Sequence, residues 1–155
     1  MTRKPFVAGN WKMNTTADEA ANLTSALAES VGDMTNITIG VCPPACYLMK
    51  VAEAIGQSNI KLGAQNMYYE DKGAFTGEVS PVMLRDCCCT YVILGHSERR
   101  HVFHEPDALI NRKLLKALSS GLKPILCVGE TLDEREKGIT NDIVERHVAW
   151  GLHGV

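Results

Sequence analysis

Apolar residues along the chain fall into two alternating kinds of run. Five are short and nearly unbroken: Phe6 to Gly9, Ile37 to Cys42, Ile60 to Ala64, Tyr91 to Gly95, and Ile125 to Gly129. Runs of that length without polar alternation predict strands buried on both faces. Each carries a glycine within it or at its end (Gly9, Gly40, Gly63, Gly95, Gly129), a sign of crowded backbones or a sharp exit into a loop.

Between these runs the apolar residues recur at helical spacing. Thr16-Ala17-Asp18-Glu19 is a capping box, followed by Ala20, Leu23, Leu27 and Val31 on one face and a stop at Gly32. After Pro43-Pro44, the residues Leu48, Val51, Ala52 and Ile55 predict a second helix ending at Gly56. Pro106 opens another, with Leu109, Ile110, Leu114 and Leu118 expected inward and Gly121 closing it. Thr131-Leu132-Asp133-Glu134 is a second capping box, opening a short helix that ends near Gly138. From Thr140 onward, Val144, Val148 and Leu152 form a stripe. Pro81 to Cys87 supplies a remaining crossover helix of poor periodicity.

Strand and helix alternating in this way predict right-handed βαβ units, hence an α/β fold with five parallel strands and crossover helices. We expect a single domain over residues 1–155. Periodicity alone leaves two architectures open, a flavodoxin-like open sheet and part of a (β/α)8 barrel. The loops favour the barrel. No glycine-rich phosphate turn follows the first strand, whereas polar residues follow several: Asn10 and Lys12, Gln65-Asn66, His96, and Glu130. Barrel enzymes build their sites from side chains converging at strand ends in this manner.

Composition narrows the function classes. Of the residues, 45% are hydrophobic and 22% charged, ordinary globular proportions. A net charge of −2 supplies no basic field for nucleic acid or an anionic membrane. No apolar run approaches the roughly 18 residues of a membrane span, and no signal peptide precedes the first strand, so the cytoplasm is the expected location. Of the six cysteines, Cys87-Cys88-Cys89 are consecutive and cannot close a tetrahedral metal site. They are expected to be reduced, because adjacent cysteines form only a strained bridge. His101 and His104 lack a third ligand of suitable spacing, so no metal is expected.

The polar strand ends carry the candidate chemistry. Lys12 is either a solvated surface charge or, between Trp11 and Met13, a compact cation for an anionic substrate. Asn10 beside it would orient a substrate oxygen or hold Lys12. His96 precedes Ser97-Glu98-Arg99-Arg100, a short helix. It is either structural, or a ring whose protonation the helix start disfavours, leaving a neutral donor to a carbonyl oxygen. Glu98 could act as a base, but pairing with Lys12, Arg99 or Arg100 is preferred. Glu130 is assigned to the start of the next helix.

Several stretches, taken together, carry a resemblance. They are Gly9-Asn10-Trp11-Lys12-Met13-Asn14, Gly63-Ala64-Gln65-Asn66, Gly73-Ala74-Phe75-Thr76-Gly77-Glu78, Tyr91 to Arg100, Asn111-Arg112-Lys113, and Cys127 to Leu132. In content and order they resemble the triosephosphate isomerase family, across the whole chain. The resemblance implies part of a (β/α)8 barrel, roughly its first five βα units. It also implies interconversion of dihydroxyacetone phosphate and glyceraldehyde 3-phosphate through an enediolate, in glycolysis and gluconeogenesis, without cofactor or metal. That family is itself a standard example of tuned acid–base chemistry, so its residue roles are carried over and not deduced from these residues. Catalytic roles would fall to Asn10, Lys12 and neutral His96. Asn10 and Lys12 would bind substrate, and Glu98 and Cys127 would support the site. Gln65, Phe75, Thr76, Gly77 and Glu78 would belong to a long third loop that inserts into a second subunit, making a homodimer.

A barrel of this kind takes about 250 residues. The family's proton-abstracting glutamate, the lid beside it and two later phosphate-binding loops therefore fall outside these 155 residues. The expectation is little or no isomerase activity from this chain alone. Five strands cannot close a barrel, so the first and fifth are expected to be bare edges that favour self-association.

Overall fold

A computed structural model describes residues 3–155. Its strands are β1 (Phe6–Asn10), β2 (Thr38–Cys42), β3 (Lys61–Ala64), β4 (Tyr91–Leu94) and β5 (Lys123–Leu126), all parallel and paired in sequence order. The helices are α1 (Ala17–Val31), α2 (Leu48–Ile55), α3 (Pro81–Asp86), α4 (Ser97–His101), α5 (Asp107–Ser119), α6 (Leu132–Glu136) and α7 (Thr140–Gly151), with a 3₁₀ turn at Ala45–Tyr47. Every crossover advances one strand in the same direction, so right-handed connections place the helices on one face of the sheet. A flavodoxin-like sheet needs a reversal of strand order, and the observed order β1-β2-β3-β4-β5 has none. The architecture is a partial (β/α)8 barrel.

The curl of the sheet has a specific cause. In a flat sheet, three strand spacings would hold β1 and β4 about 14 Å apart. Here the rings of Phe6 on β1 and Tyr91 on β4 meet, with centroids 4.8 Å apart. Glycines on the two strands between leave room for them. A Cβ at Gly40 would stand 3.6 Å from the Phe6 ring. One at Gly63 would lie 3.3 Å from Tyr91 Cβ and only 2.6 Å from Cys42 Sγ. Of the two, Gly63 is a close-approach position, whereas a Cβ at Gly40 would make ordinary contact.

The convex face carries the core. Val41, Leu62, Ala64, Val92 and Leu94 pack with Ala20, Leu48, Val51, Leu84, Ile110, Leu114 and Ala117 from the helices, and Ile39 and Leu126 lie against them. Ile93 is buried outside that cluster, on the strand phase it shares with Tyr91. Both capping boxes form as the sequence predicts, at Thr16–Glu19 and Thr131–Glu134.

Several details depart from the sequence reading. The fifth strand begins at Lys123 and ends at Leu126, ahead of the expected Ile125 to Gly129. Lys123 N–H donates to Thr90 O and Cys127 N–H to Leu94 O, both at 2.9 Å. By alternation Pro124 falls on the phase facing the open edge, where its missing N–H removes no ladder bond. The inward stripes of three helices also shift. On α1, Thr24 is buried, its hydroxyl donating to Ala20 O at 2.7 Å, while Leu23 is exposed. On α5, Lys113 and Ala117 are buried and Leu118 is exposed. On α7 the buried stripe is Ile143, His147 and Gly151, with Val148 and Leu152 outward. A Cβ at Gly151 would meet Leu126 Cδ2 at 2.5 Å, so a side chain there would displace Leu126.

Among the described residues, β1 and β5 each have one strand neighbour. Phe6 and Val7 on the β1 edge are exposed. The concave-face packing can be tested at its tightest point. Gly63→Ala should destabilise the fold by about 1–3 kcal/mol in chemical denaturation, as over-packing does. Adding Cys42→Ala, which removes the sulfur a new Cβ would strike, should recover part of the loss.

Candidate active site

The curl brings the ends of β1, β3 and β4 around one cleft of about 350 Å³. Asn10, the last residue of β1, and Lys12 just beyond it line one side. Gln65, directly after β3, and His96, directly before α4, line the other with Glu98, Arg99 and Phe103. Gly77 and Glu78, from the long loop between β3 and α3, reach its rim. Phe75 and Thr76 from the same loop do not line it and are exposed, Phe75 stacking on Tyr68 at 4.6 Å. Cys127 lies after β5, away from the cleft lining.

Lys12 has a left-handed backbone, with φ of 55°. That conformation costs a non-glycine residue about 1–3 kcal/mol and persists only where neighbours over-determine it. Three bonds do so. Its amide donates to Asn10 Oδ1 at 3.0 Å, its carbonyl accepts from Gln65 Nε2 at 2.9 Å, and its Nζ meets Glu98 Oε1 at 2.9 Å. The strain therefore sits at the one lysine whose ammonium faces the cleft.

His96 caps α4 with its ring. Its Nδ1 accepts from Glu98 N–H at 3.3 Å, so a neutral imidazole carries its proton on Nε2 as a free donor. The bond from Lys12 holds the Glu98 carboxyl below the usual carboxylate range, against the opposing effect of desolvation. Glu98 is thereby ionised and a weak base. Glu130 is likewise held low, first by its own backbone amide and then by Arg135, whose Nε lies 2.7 Å from Oε1. The start of α6 is capped by Thr131 and Glu134, so Glu130 reaches that helix through Arg135.

Three features around the cleft were not read from the sequence. Gln65, expected in an intersubunit loop, also bridges Lys12 O and Cys42 O, the latter at 2.8 Å. Arg100 clamps the base of the β4 exit, donating to Gly95 O at 2.7 Å and Cys127 O at 3.3 Å and pairing with Asp107. Lys113 is 2% exposed, and its Nζ bonds Glu105 Oε1 at 2.6 Å and Asn66 Oδ1 at 3.0 Å, while Arg99 Nε shares the same carboxylate oxygen. Burial lowers the Lys113 pKa and Glu105 opposes that shift. Periodicity places Lys113 on the buried face of α5, which was the available signal. Burial also raises the Cys127 thiol. Among the described residues, no three His, Cys, Asp or Glu side chains gather as a metal-holding group.

A family model described as triosephosphate isomerase matches residues 5–155. Proteins named triosephosphate isomerase from Carboxydothermus hydrogenoformans, Endomicrobium trichonymphae and Clostridium tetani are 58%, 51% and 52% identical to the chain. The matches cover 99%, 97% and 97% of this chain, and 61%, 60% and 58% of the respective relatives. The chain thus spans about three fifths of the length of these curated relatives.

Two outcomes follow from the charges. The Glu98 pKa is depressed in the fold, so its pairing stabilises fully above the ordinary carboxylate range and is lost as pH falls through the folded value. Lys12→Met should raise the Glu98 midpoint in a carboxyl NMR titration and remove that acid-dependent contribution. Glu105→Leu, which strands the Lys113 ammonium, should cost about 3–5 kcal/mol in denaturation. The pair Glu105→Leu with Lys113→Met should recover much of it.

Proposed function

The chain belongs to the triosephosphate isomerase family, and on that premise we propose that its cleft serves the interconversion of dihydroxyacetone phosphate and glyceraldehyde 3-phosphate, without metal or cofactor. The supporting observation is the gathering of Asn10, Lys12 and His96 at one rim of the parallel sheet. Lys12 balances substrate negative charge and Asn10 fixes both substrate and Lys12. The Nε2–H of His96 donates to the carbonyl oxygen on which charge develops, the kind of preorganised donor that lowers an enolisation barrier. Glu98 holds Lys12 in place, and Cys127 supports the site from behind through the carbonyl it offers Arg100.

We assign no proton-abstracting role to the carboxylates directly after β4 and β5. Glu98 and Glu130 are both ionised and engaged. A positioned base contributes roughly 10²–10⁴-fold, so the chain by itself is weakly active or inactive. The loop carrying Gln65, Phe75, Thr76, Gly77 and Glu78 is the surface for a second copy, which also covers Met13, 95% exposed at the cleft. The bare edges at β1 and β5 favour a second reading, a non-catalytic half-barrel that self-associates. No described helix is long and apolar enough to cross a membrane, and the reading places the protein in the cytoplasm with neither nucleic acid nor membrane as partner.

Two measurements on the purified chain test the proposal. A coupled isomerase assay should give turnover at least about 100-fold below that of a full-length relative. Turnover equal to the relative's, surviving repurification, would contradict this reading of the two carboxylates. Calorimetry should detect a phosphate-bearing triose analogue, with binding lost in Lys12→Met. Absence of any binding to the parent chain would remove the substrate assignment.

A further inference from the structure

Between β5 and α6 the chain is fixed at both ends. Cys127 N–H donates to Leu94 O at 2.9 Å and its carbonyl accepts from Arg100, while Thr131 caps α6. From Val128 to Glu130, among the described residues, the backbone makes one bond to a side chain of another segment. Gly129 N–H donates to Nδ1 of His147, at 3.4 Å. His147 stands on α7 and is 3% exposed, so a buried ring pins this short loop to a later helix.

The surroundings of the ring suit only its neutral form. Its other nitrogen, Nε2, lies 3.4 Å from Arg146 Nη2. A guanidinium has no acceptor, so both ring nitrogens face donors. Neutral imidazole meets the Gly129 N–H through Nδ1 and carries its proton on Nε2. Imidazolium has no lone pair to offer and would add a positive charge beside two arginines. Arg100 from α4 and Arg146 from α7 face the ring, as do Asp107 from α5 and Glu134 from α6. Both carboxylates are already engaged. Asp107 pairs with Arg100 and lies 3.8 Å from Arg146 Nε, and Glu134 closes the capping box with Thr131. On its remaining side α7 meets the uncharged Leu126 of β5. Burial first, then Arg100, holds the His147 pKa below the ordinary histidine value; Asp107 and Glu134 oppose that shift and Arg146 reinforces it.

We propose that His147 is a proton-sensitive latch on the exit of β5: as neutral imidazole it holds Gly129 to α7, and as imidazolium it releases Val128 to Glu130 from that helix. The released segment is short, because Arg100 still grips Cys127 and Thr131 still caps α6. Folding favours the neutral ring. The latch's contribution to stability is therefore complete above the ordinary histidine value of 6.5, and is lost as pH falls from there through the lower folded value. It operates whatever chemistry the cleft performs.

The test is an NMR titration of the full 155-residue chain from neutral to mildly acidic pH. Ring nitrogen shifts of His147 report its tautomer and midpoint. Hydrogen exchange of the Gly129 amide, corrected for its intrinsic pH dependence, reports the latch. His147→Gln is the silent control, since its carboxamide oxygen can still accept from Gly129 and does not titrate. The neutral ring should carry its proton on Nε2 and titrate below the ordinary histidine value. Gly129 protection should fall by roughly 2- to 10-fold in step with the ring, the worth of one hydrogen bond. In His147→Gln it should stay flat over the same range.

A neutral ring protonated on Nδ1, or a midpoint at or above the ordinary value, would overturn the proposal. So would Gly129 protection that ignores the ring titration, or that falls equally in His147→Gln. If that variant does not fold, the parent chain decides alone: ring and amide must share one midpoint, and two separate midpoints overturn the latch.

Discussion

Contact between Phe6 and Tyr91 across two glycine-bearing strands is the constraint on which the rest depends. Their meeting at 4.8 Å pulls β1 towards β4 and converts a parallel sheet into a trough. Gly63 leaves space there, where a Cβ would crowd Cys42 Sγ and Tyr91 Cβ. Without the curl, Asn10 and Lys12 would lie three strand positions from His96, too distant to share a cleft. Helices cover the other face because every right-handed crossover advances in the same direction.

Electrostatics then refine what the curl assembles. Lys12 is bent into a conformation that lysine resists, and the bonds compensating for it come from three separate segments: Asn10 on β1, Gln65 after β3 and Glu98 on α4. The site is thus stiff where a substrate charge would land. Glu98 and Glu130, the carboxylates after β4 and β5, are each committed to a cation. Beneath the loops, Arg100 holds the backbone of the β4 exit and the Lys113–Glu105–Arg99 cluster holds the side chain of Asn66.

Much of this was legible in the chain before any coordinates. Unbroken apolar runs mark the strands because both faces of each are covered, and two capping boxes mark helix starts because the pairing is local. The residues at the strand ends announce a barrel-like site because polar side chains after several strands have no place in an apolar core. What escaped the sequence was set by distant contacts. Pro124 conceals the start of β5 because its tolerance depends on facing an edge. The inward stripe of α7 runs through His147 and Gly151, whose burial reflects the approach of Leu126 and not their own hydrophobicity. Gln65 looked like a loop residue because nothing local signals that its amide spans the ends of two other strands.

The curl itself is open to direct measurement. Nuclear Overhauser contacts between ring protons of Phe6 and Tyr91, in protein labelled on those two residue types, report the distance across β2 and β3. Strong cross-peaks are expected, as rings 4.8 Å apart require. Their absence in a folded chain would mean a flatter sheet with β1 and β4 nearer the roughly 14 Å of three strand spacings, and the cleft joining Lys12 to His96 would not exist.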